Sequence, residues 1–363
     1  MNKKKIVIIG QWMYPKNTPR AFRSWELAKE FARNGYDVTV YALLADIDYS
    51  ELEQKYHVKI KNLGIPRFGT STSGDTKPLP LITRAMLRIT KDENLTPNLE
   101  LFPMIKKALK QEGIIDILIT IAYPHTIHWA TAKYIDRKKV GTWIADCGDP
   151  YMGNPFLQHP NFMKYVEKWW CKKVDFITIP IKGGISAYYN EFHDKIKIIP
   201  QGFDFSENKT AEYTPHNIPT FAFAGTIYQG KRDPFKFLDY IAIMREDYKF
   251  IIYSSHQGLA EYAKNNPRIE IRQQIPRNQL ILELSKMDFL VNIQNINAIQ
   301  SPSKMIDYSL AKRPIFTIST DFSNKEKEIF NHFTTGNYSM ATATPDISNY
   351  DIRNVCKQFI ALF

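Results

Sequence analysis

Twice along the chain, short apolar runs rich in β-branched residues alternate with stretches of helical periodicity, and this alternation limits the fold more than any other feature. Residues 4–10, 36–44, 114–121, 140–145, 176–179 and 196–199 read as buried strands. Residues 21–33, 101–111 and 161–174 read as helices, and Gly183-Gly184 opens another. Runs that are apolar without alternation suit a parallel sheet covered on both faces. Residues 206–219 are polar, hold two prolines and have the composition of a linker. The series then resumes, with strands at 220–224, 250–254, 269–273, 289–293 and 315–318 and helices at 234–245, 279–286 and 301–314. A chain of 363 residues exceeds what one core supports. The expectation is an α/β protein of two Rossmann-like doubly wound domains, 1–205 and 220–363, the last helix packing back on the first domain.

Charge is unevenly placed. Residues 1–200 hold 30 Lys+Arg against 20 Asp+Glu, a balance of +10; residues 201–363 hold 18 against 17, or +1, which together give the chain's +11. A basic first half suits an anionic membrane surface, a phosphorylated lipid or nucleic acid, or is simply a lysine-rich solvated surface. The three cysteines, Cys147, Cys171 and Cys356, are odd in number and far apart, which argues against disulfides and structural zinc and for a cytoplasmic protein. Lys3 to Lys5 lead into too short an apolar run for a signal peptide, and no apolar stretch approaches the roughly 18 residues that span a bilayer.

Open α/β sheets bind ligands outside the carboxyl ends of their strands. The loop after the first strand, from Gln11 to Pro19, has no G-x-G-x-x-G, and Arg20 and Arg23 follow it, open to an anion or to solvent. After the strand at 114–121 come His125 and His128, suited to acid/base work or to hydrogen-bonding a sugar; no neighbouring carboxylate or thiol completes a metal set. The strand at 140–145 runs into Asp146-Cys-Gly-Asp149, two carboxylates that need partners or a ligand. Residues 81–89, apolar with Arg84 and Arg88 one turn apart, form either a membrane-surface helix or a packed one.

The most informative helix spans 301–314. Ser301 or Ser303 caps it, Pro302 fixes its entry and Pro314 ends it. Lys304 and Asp307, three residues apart, share a face. A capped helix start with a lysine one turn in is a ready phosphate site, and an acidic side chain beyond it suits ribose hydroxyls.

Four segments in this order, Ala145 to Pro150, Ile198 to Asp204, Gly225 to Arg232 and Ser301 to Pro314, resemble the GT-B-fold glycosyltransferases, and are most similar to retaining family 4 enzymes of bacterial surface polysaccharide and lipopolysaccharide synthesis. The resemblance covers nearly the whole chain and implies two domains facing across a cleft. It implies a nucleotide-diphosphate sugar as donor, which is a substrate and no cofactor, a saccharide or lipid-linked acceptor, no catalytic metal and no nucleic acid. By position, donor binding would fall to Thr226, Lys231, Arg232, Gln274, Ile275, Ser301, Ser303, Lys304 and Asp307; acceptor-side contacts to Gln11 and Arg20; catalysis to Asp149, His125 and Asp146. The chain departs from the family pattern at Ile299, where an acidic residue is common, at Thr226, where arginine is common, and at Gly148, where His or Arg is common. Asp46-Ile-Asp48 matches the metal clamp of the other large glycosyltransferase fold and disagrees with every other feature. The resemblance also implies peripheral contact of the basic domain with the inner face of the cell membrane. Rival expectations are a GT-B-fold nucleotide-sugar epimerase and a non-enzymatic binder of anionic ligands or nucleic acid.

Overall fold

The computed structural model describes residues 3–16, 18–66, 69–70, 76–77, 81, 84, 98–154, 157–230, 232–294 and 303–363. They divide into two compact units, Met1–Phe203 with Asn349–Phe363, and Asp204–Ser348.

The first unit is built on a seven-stranded sheet, β1 (Lys5–Gly10), β2 (Asp37–Ala42), β3 (Val58–Asn62), β6 (Ile115–Ala122), β7 (Val140–Cys147), β8 (Phe176–Ile179) and β9 (Ile196–Ile198), in the order β3-β2-β1-β6-β7-β8-β9. Every pairing in it is parallel. A two-residue ribbon, β4 (Gly69–Thr70) with β5 (Thr76–Lys77), lies outside the sheet. One face is covered by α3 (Leu101–Gln111), α4 (Thr126–Tyr134) and α5 (Met163–Lys173), which bury Ile105, Trp129 and Trp170 against Trp143 of the sheet. The other face carries α1 (Pro19–Arg33), α2 (Ser50–Tyr56) and α11 (Ile352–Ile360), over Ile6, Ile8, Val38 and Val40.

Local chemistry explains these bounds. Thr18 caps α1 by accepting from the Ala21 amide at 3.3 Å, Pro19 supplies a preset φ, and Gly35 at φ 88° turns the chain into β2. β3 escapes the reading of strands as apolar runs because it is a rim strand, with Val58 and Ile60 alternating with Lys59 and Lys61, and edge strands favour lysine. Gly183-Gly184 opens no α-helix but a short 3-10 turn, Lys182–Ala187. α11 returns the chain to the first unit: Phe359 packs edge-on against Phe31 at 6.2 Å, and Phe203 pairs with Asp351 as an isolated bridge.

In the second unit a five-stranded parallel sheet has the order β12-β11-β10-β13-β14, from β10 (Thr220–Ala224), β11 (Lys249–Tyr253), β12 (Ile269–Arg272), β13 (Phe289–Ile293) and β14 (Ile315–Ile318). Its helices are α6 (Phe235–Ala242), α7 (Ala260–Asn265), α8 (Arg277–Ser285), α9 (Ser303–Ala311) and α10 (Asn324–Thr334). Phe221 stacks between Phe250 at 4.7 Å and Phe289 at 4.6 Å to centre one core. The stretch 206–219 is fastened to this unit. The Ala211 amide donates to Ser285 Oγ at 2.8 Å, the Tyr213 hydroxyl to Asp288 at 2.7 Å, and Arg313 lies 3.3 Å over the Tyr213 ring. Among the described residues no helix is long and apolar enough to cross a membrane.

Candidate functional site

In the second sheet the chain passes from β10 to β11 on one side and from β13 to β14 on the other. The switch point, where such sheets take ligands, therefore lies between β10 and β13. These two strands pair in register at Phe221↔Phe289 and Ala222↔Leu290. Beyond that, Tyr308 of α9 bridges them, accepting from the Ala224 amide at 3.1 Å and donating to the Val291 carbonyl at 2.9 Å.

This anchor carries Lys304, one turn earlier on α9, over the end of β10. The Lys304 ammonium is buried 3.9 Å from the centre of the Phe223 ring and has no hydrogen-bond partner among the described residues. Gly225, at φ 141°, makes room for it: a Cβ there would stand 2.7 Å from Lys304 Nζ and 3.7 Å from the Arg232 guanidinium. Arg232 is set by a tight backbone pair with Tyr228, at 2.8 and 2.9 Å, and its Nε is also without a partner among the described residues. Burial, and then the nearby Arg232 charge, hold the Lys304 pKa well below its ordinary value, with Asp307 opposing weakly. Two basic groups thus crowd the switch point, and an anion of two or more charges would relieve both.

One oxygen of Asp307 already has a partner inside the fold. Arg277, the first residue of α8, holds its Oδ1 from Nε and Nη2, both at 2.6 Å. Burial raises the Asp307 carboxyl above its ordinary pKa, and Arg277 offsets part of that. Arg277 escaped the sequence reading although it directly follows Gln274-Ile275-Pro276; a cation at the start of a helix gave no pattern to notice. Gln274 and Thr226 are exposed, and Ile275 packs partly on the core beneath α9. Lys231, Ser301 and Ile299 lie outside the described residues, as does the Ser303 side chain; Ser303 itself opens α9.

In the first unit the carboxylates after β7 part company. Asp146 turns to the α1 side, where Arg23 donates to both its oxygens at 3.1 and 2.8 Å and Thr178 donates at 2.7 Å. Burial alone would raise its pKa; the arginine pair and Thr178 bring it below the ordinary value. Both Asp146 oxygens are thus engaged inside the fold, and the residue is 2% exposed. Asp149 is exposed and, with His125, Tyr123, Tyr151, Asn154 and His159, lines a pocket of about 50 Å³. His125 itself is buried, its ring 5.3 Å from that of Tyr151.

Arg23, read as open to an anion or to solvent, has its anion inside the fold. It also donates to the Pro200 carbonyl at 2.5 Å and lies 5.0 Å over Phe359. Arg20 reaches Asp146 at 3.9 Å, and its guanidinium fills the volume a side chain at 148 would need, since a Cβ on Gly148 would stand 1.8 Å from it. The volume of a side chain at 148 is therefore taken by a guanidinium from α1. Gln11 is not presented to a ligand: it is buried, and its amide donates to Asn98 at 3.1 Å.

His128 is wholly buried, its Nδ1 2.8 Å from Thr120 Oγ1 and its Nε2 3.4 Å from Cys147 Sγ. With His125 these groups place three metal-type ligand atoms within 4.8 Å of one another, and Cys147 is the third member that chain order hides. Burial lowers the His128 pKa and raises that of Cys147 far above its ordinary value, so the pair is a neutral hydrogen-bonded knot in the core. Asp48, of the Asp46-Ile-Asp48 match, accepts from the Ser50 amide at 2.9 Å and the Ser50 hydroxyl at 2.8 Å, just ahead of α2.

No protein-family model matches the chain, and no curated protein matches it by sequence. Solved structures do match. A glycosyltransferase from Rickettsia africae aligns with TM-score 0.64 at 12% identity, over 100% of this chain and 98% of that one. Anabaena HepE in complex with UDP aligns with TM-score 0.58 at 11% identity, over 98% of each chain. The lipopolysaccharide outer core galactosyltransferase WaaB aligns with TM-score 0.59 at 11% identity, over 99% of this chain and 98% of that one. The fold is therefore that of the GT-B glycosyltransferases. At such identity the likeness reaches no further than the fold, and the chemistry rests on the residues.

Proposed function

We propose that the chain is a glycosyltransferase. The second unit holds a nucleotide-diphosphate sugar, and the first takes a saccharide or lipid-linked acceptor for cell-surface polysaccharide or lipopolysaccharide synthesis, at the cytoplasmic face of the membrane. The observation that carries this reading is the buried Lys304 ammonium, without a hydrogen-bond partner among the described residues, beside Arg232 at the switch point of the second sheet. When the glycosidic C–O bond breaks, the electron pair leaves with the nucleotide diphosphate, whose charge grows as the bond lengthens. Cations fixed in a site of low dielectric stabilise that charge most where it is greatest, in the transition state. Arg277 orients Asp307 so that its second oxygen can accept from a ribose hydroxyl. Gln274 and Ile275 supply backbone to the base, and Thr226 and Lys231 border the phosphates. Asp149 and His125 act on the transferring sugar or acceptor from the pocket they share. Arg20 lies at the rim of that strand end. Metal independence, retention of anomeric configuration and a hexosyl donor complete the proposal, on the strength of the family resemblance.

The test is a thermal-shift panel of UDP, GDP, TDP, CDP and their common sugars. A ligand that binds the folded state alone raises the melting temperature with its concentration. One base giving a specific rise that is lost in Lys304→Ala supports the site. No rise with any nucleotide overturns it. A nucleotide-sugar consumed without any acceptor product would point to epimerase chemistry instead.

A further inference from the structure

The loop after β10 carries a side chain that donor binding, as proposed, leaves unused. Within Gly225 to Arg232, Tyr228 and Arg232 exchange both backbone hydrogen bonds, at 2.9 and 2.8 Å, as an antiparallel bridge. Residues directly opposite in such a pair put their side chains on the same side. The Arg232 guanidinium reaches the switch point, 3.7 Å from where a Cβ on Gly225 would stand, and its charge acts on Lys304. The Tyr228 side chain leaves the bridge on that side as well. Its neighbours keep the alternation of an extended chain. Ile227 is buried in the core with Phe221 and Phe223, and Asp233 is buried next to Arg232, where it accepts from the Gly230 amide at 2.5 Å and the Phe235 amide at 3.3 Å and so holds the turn. Tyr228, by contrast, is 56% exposed, the single exposed Phe, Tyr or Trp ring of the second unit among the described residues.

We propose that Tyr228 is a specificity residue for the donor, its ring stacking on the C–H face of the sugar that is transferred; this rests on the transferase reading. A nucleotide-sugar is linear: base, ribose, diphosphate, sugar. On that reading the base and ribose fall to Gln274, Ile275, Arg277 and Asp307, all on α8, α9 or the residues just ahead of α8, and the diphosphate to Lys304 and Arg232. The sugar follows the diphosphate away from the nucleoside. Among the described residues, the bridge that holds Arg232 is the element at the phosphates with no share in the nucleoside, and it carries an open ring. A pyranose has hydroxyls around its edge and a patch of C–H bonds on its face. The negative π face of tyrosine attracts those weakly positive hydrogens, and the contact takes apolar surface out of water. The spent nucleotide has nothing to set against the ring. Tyr228 thus favours the loaded donor over the nucleotide it becomes, a difference of affinities built on one side chain.

The experiment is calorimetry of the full chain with a plain nucleotide and with its sugar conjugate: UDP and UDP-glucose, GDP and GDP-mannose, TDP and TDP-glucose, CDP and CDP-glucose, the pair followed being the one that the wild-type chain binds. For Tyr228→Ala the expected affinity for the plain nucleotide stays within about twofold of wild type, and that for the nucleotide-sugar falls by about five- to tenfold. Tyr228→Phe, which keeps the ring, is expected to match wild type with both ligands. The side chain is exposed, so neither variant should lower the unfolding midpoint. Equal weakening of both ligands in Tyr228→Ala would make the ring a support for Arg232 or a seat for the base, and overturns the proposal. So does an unchanged affinity for both, or a loss in Tyr228→Phe as large as in Tyr228→Ala, which would move the contact to the hydroxyl. The two readings fail separately. A wild-type chain that binds no nucleotide sinks the transferase reading and the sugar contact with it, whereas nucleotide binding that is lost in Lys304→Ala but blind to Tyr228→Ala sinks the sugar contact alone.

Discussion

Each unit keeps a buried cation near the carboxyl ends of its sheet, and the two are treated in opposite ways. Arg23 meets both oxygens of Asp146, the carbonyls of Ile199 and Pro200, and the Phe359 ring. Lys304 meets the Phe223 ring and a second cation, Arg232. A buried charge whose hydrogen bonds are all made within the chain belongs to the scaffold, because removing it strands its partners. A buried charge whose bonds are not made raises the energy of the empty fold and lowers it when an anion arrives. The contrast separates structure from function where composition cannot, since both residues are simply basic and inside.

The sharpest way to break this contrast is Arg23→Ala. It leaves Asp146 charged and buried, so unfolding by urea should show a loss of about 3–5 kcal/mol. A loss below about 1 kcal/mol would mean that water enters and the pair is no strut.

The next effect concerns Glu167, a buried carboxylate with no lysine or arginine paired to it among the described residues. Its Oε1 accepts from the Met152 amide at 3.4 Å, and burial pushes its pKa up to about 7 from the ordinary 4.5. The folded chain therefore holds its proton across a range where the unfolded chain has lost it. Stability is highest below about pH 4.5 as far as this group is concerned, and falls as pH rises through about 7, by up to roughly 3 kcal/mol. Urea midpoints measured from pH 5 to 8 should slope downward, and Glu167→Gln should flatten the slope. An unchanged slope in that variant would assign it to other groups.

Lys304→Ala and Arg232→Ala should each weaken nucleotide binding at least tenfold, about 1.4 kcal/mol, by calorimetry. Lys304→Ala should do so without lowering the unfolding midpoint, the reverse of Arg23→Ala. A destabilised Lys304→Ala with intact nucleotide affinity would make Lys304 a second strut and erase the contrast.

The smallest effect is in proton traffic. The depressed pKa of Lys304 must rise when a diphosphate pairs with it, so binding should take up protons, and affinity should fall as pH rises through the free-state pKa. Calorimetry in two buffers of different ionisation enthalpy measures the uptake. It should vanish in Lys304→Arg, whose guanidinium stays charged.

Much of the architecture was legible because buried parallel strands announce themselves: Phe176–Ile179, Thr220–Ala224, Phe289–Ile293 and Ile315–Ile318 stand where the apolar runs are. β3 was not, because a rim strand carries lysines on alternate residues. Lys304 was singled out from a helix start and Arg232 through the family resemblance. That Lys304 Nζ and Arg232 Nε have no hydrogen-bond partner among the described residues was not legible, since it depends on Phe223, Gly225 and Tyr308 converging from separate elements. The partner of Asp146 was hidden for the same reason: two carboxylates three residues apart look like a pair in sequence, but β7 ends between them, and Asp146 meets Arg23, 123 residues away in the chain.

The return of α11 has a consequence for how the protein is made. The first unit is discontinuous, and its helix Ile352–Ile360 covers Phe31 and Arg23 with residues near the far end of the chain. The second unit is contiguous, Asp204–Ser348, and all of it leaves the ribosome before that helix does. Although it begins first, the first unit is the one that must wait, holding part of its apolar face open until the ribosome reaches the residues that close it.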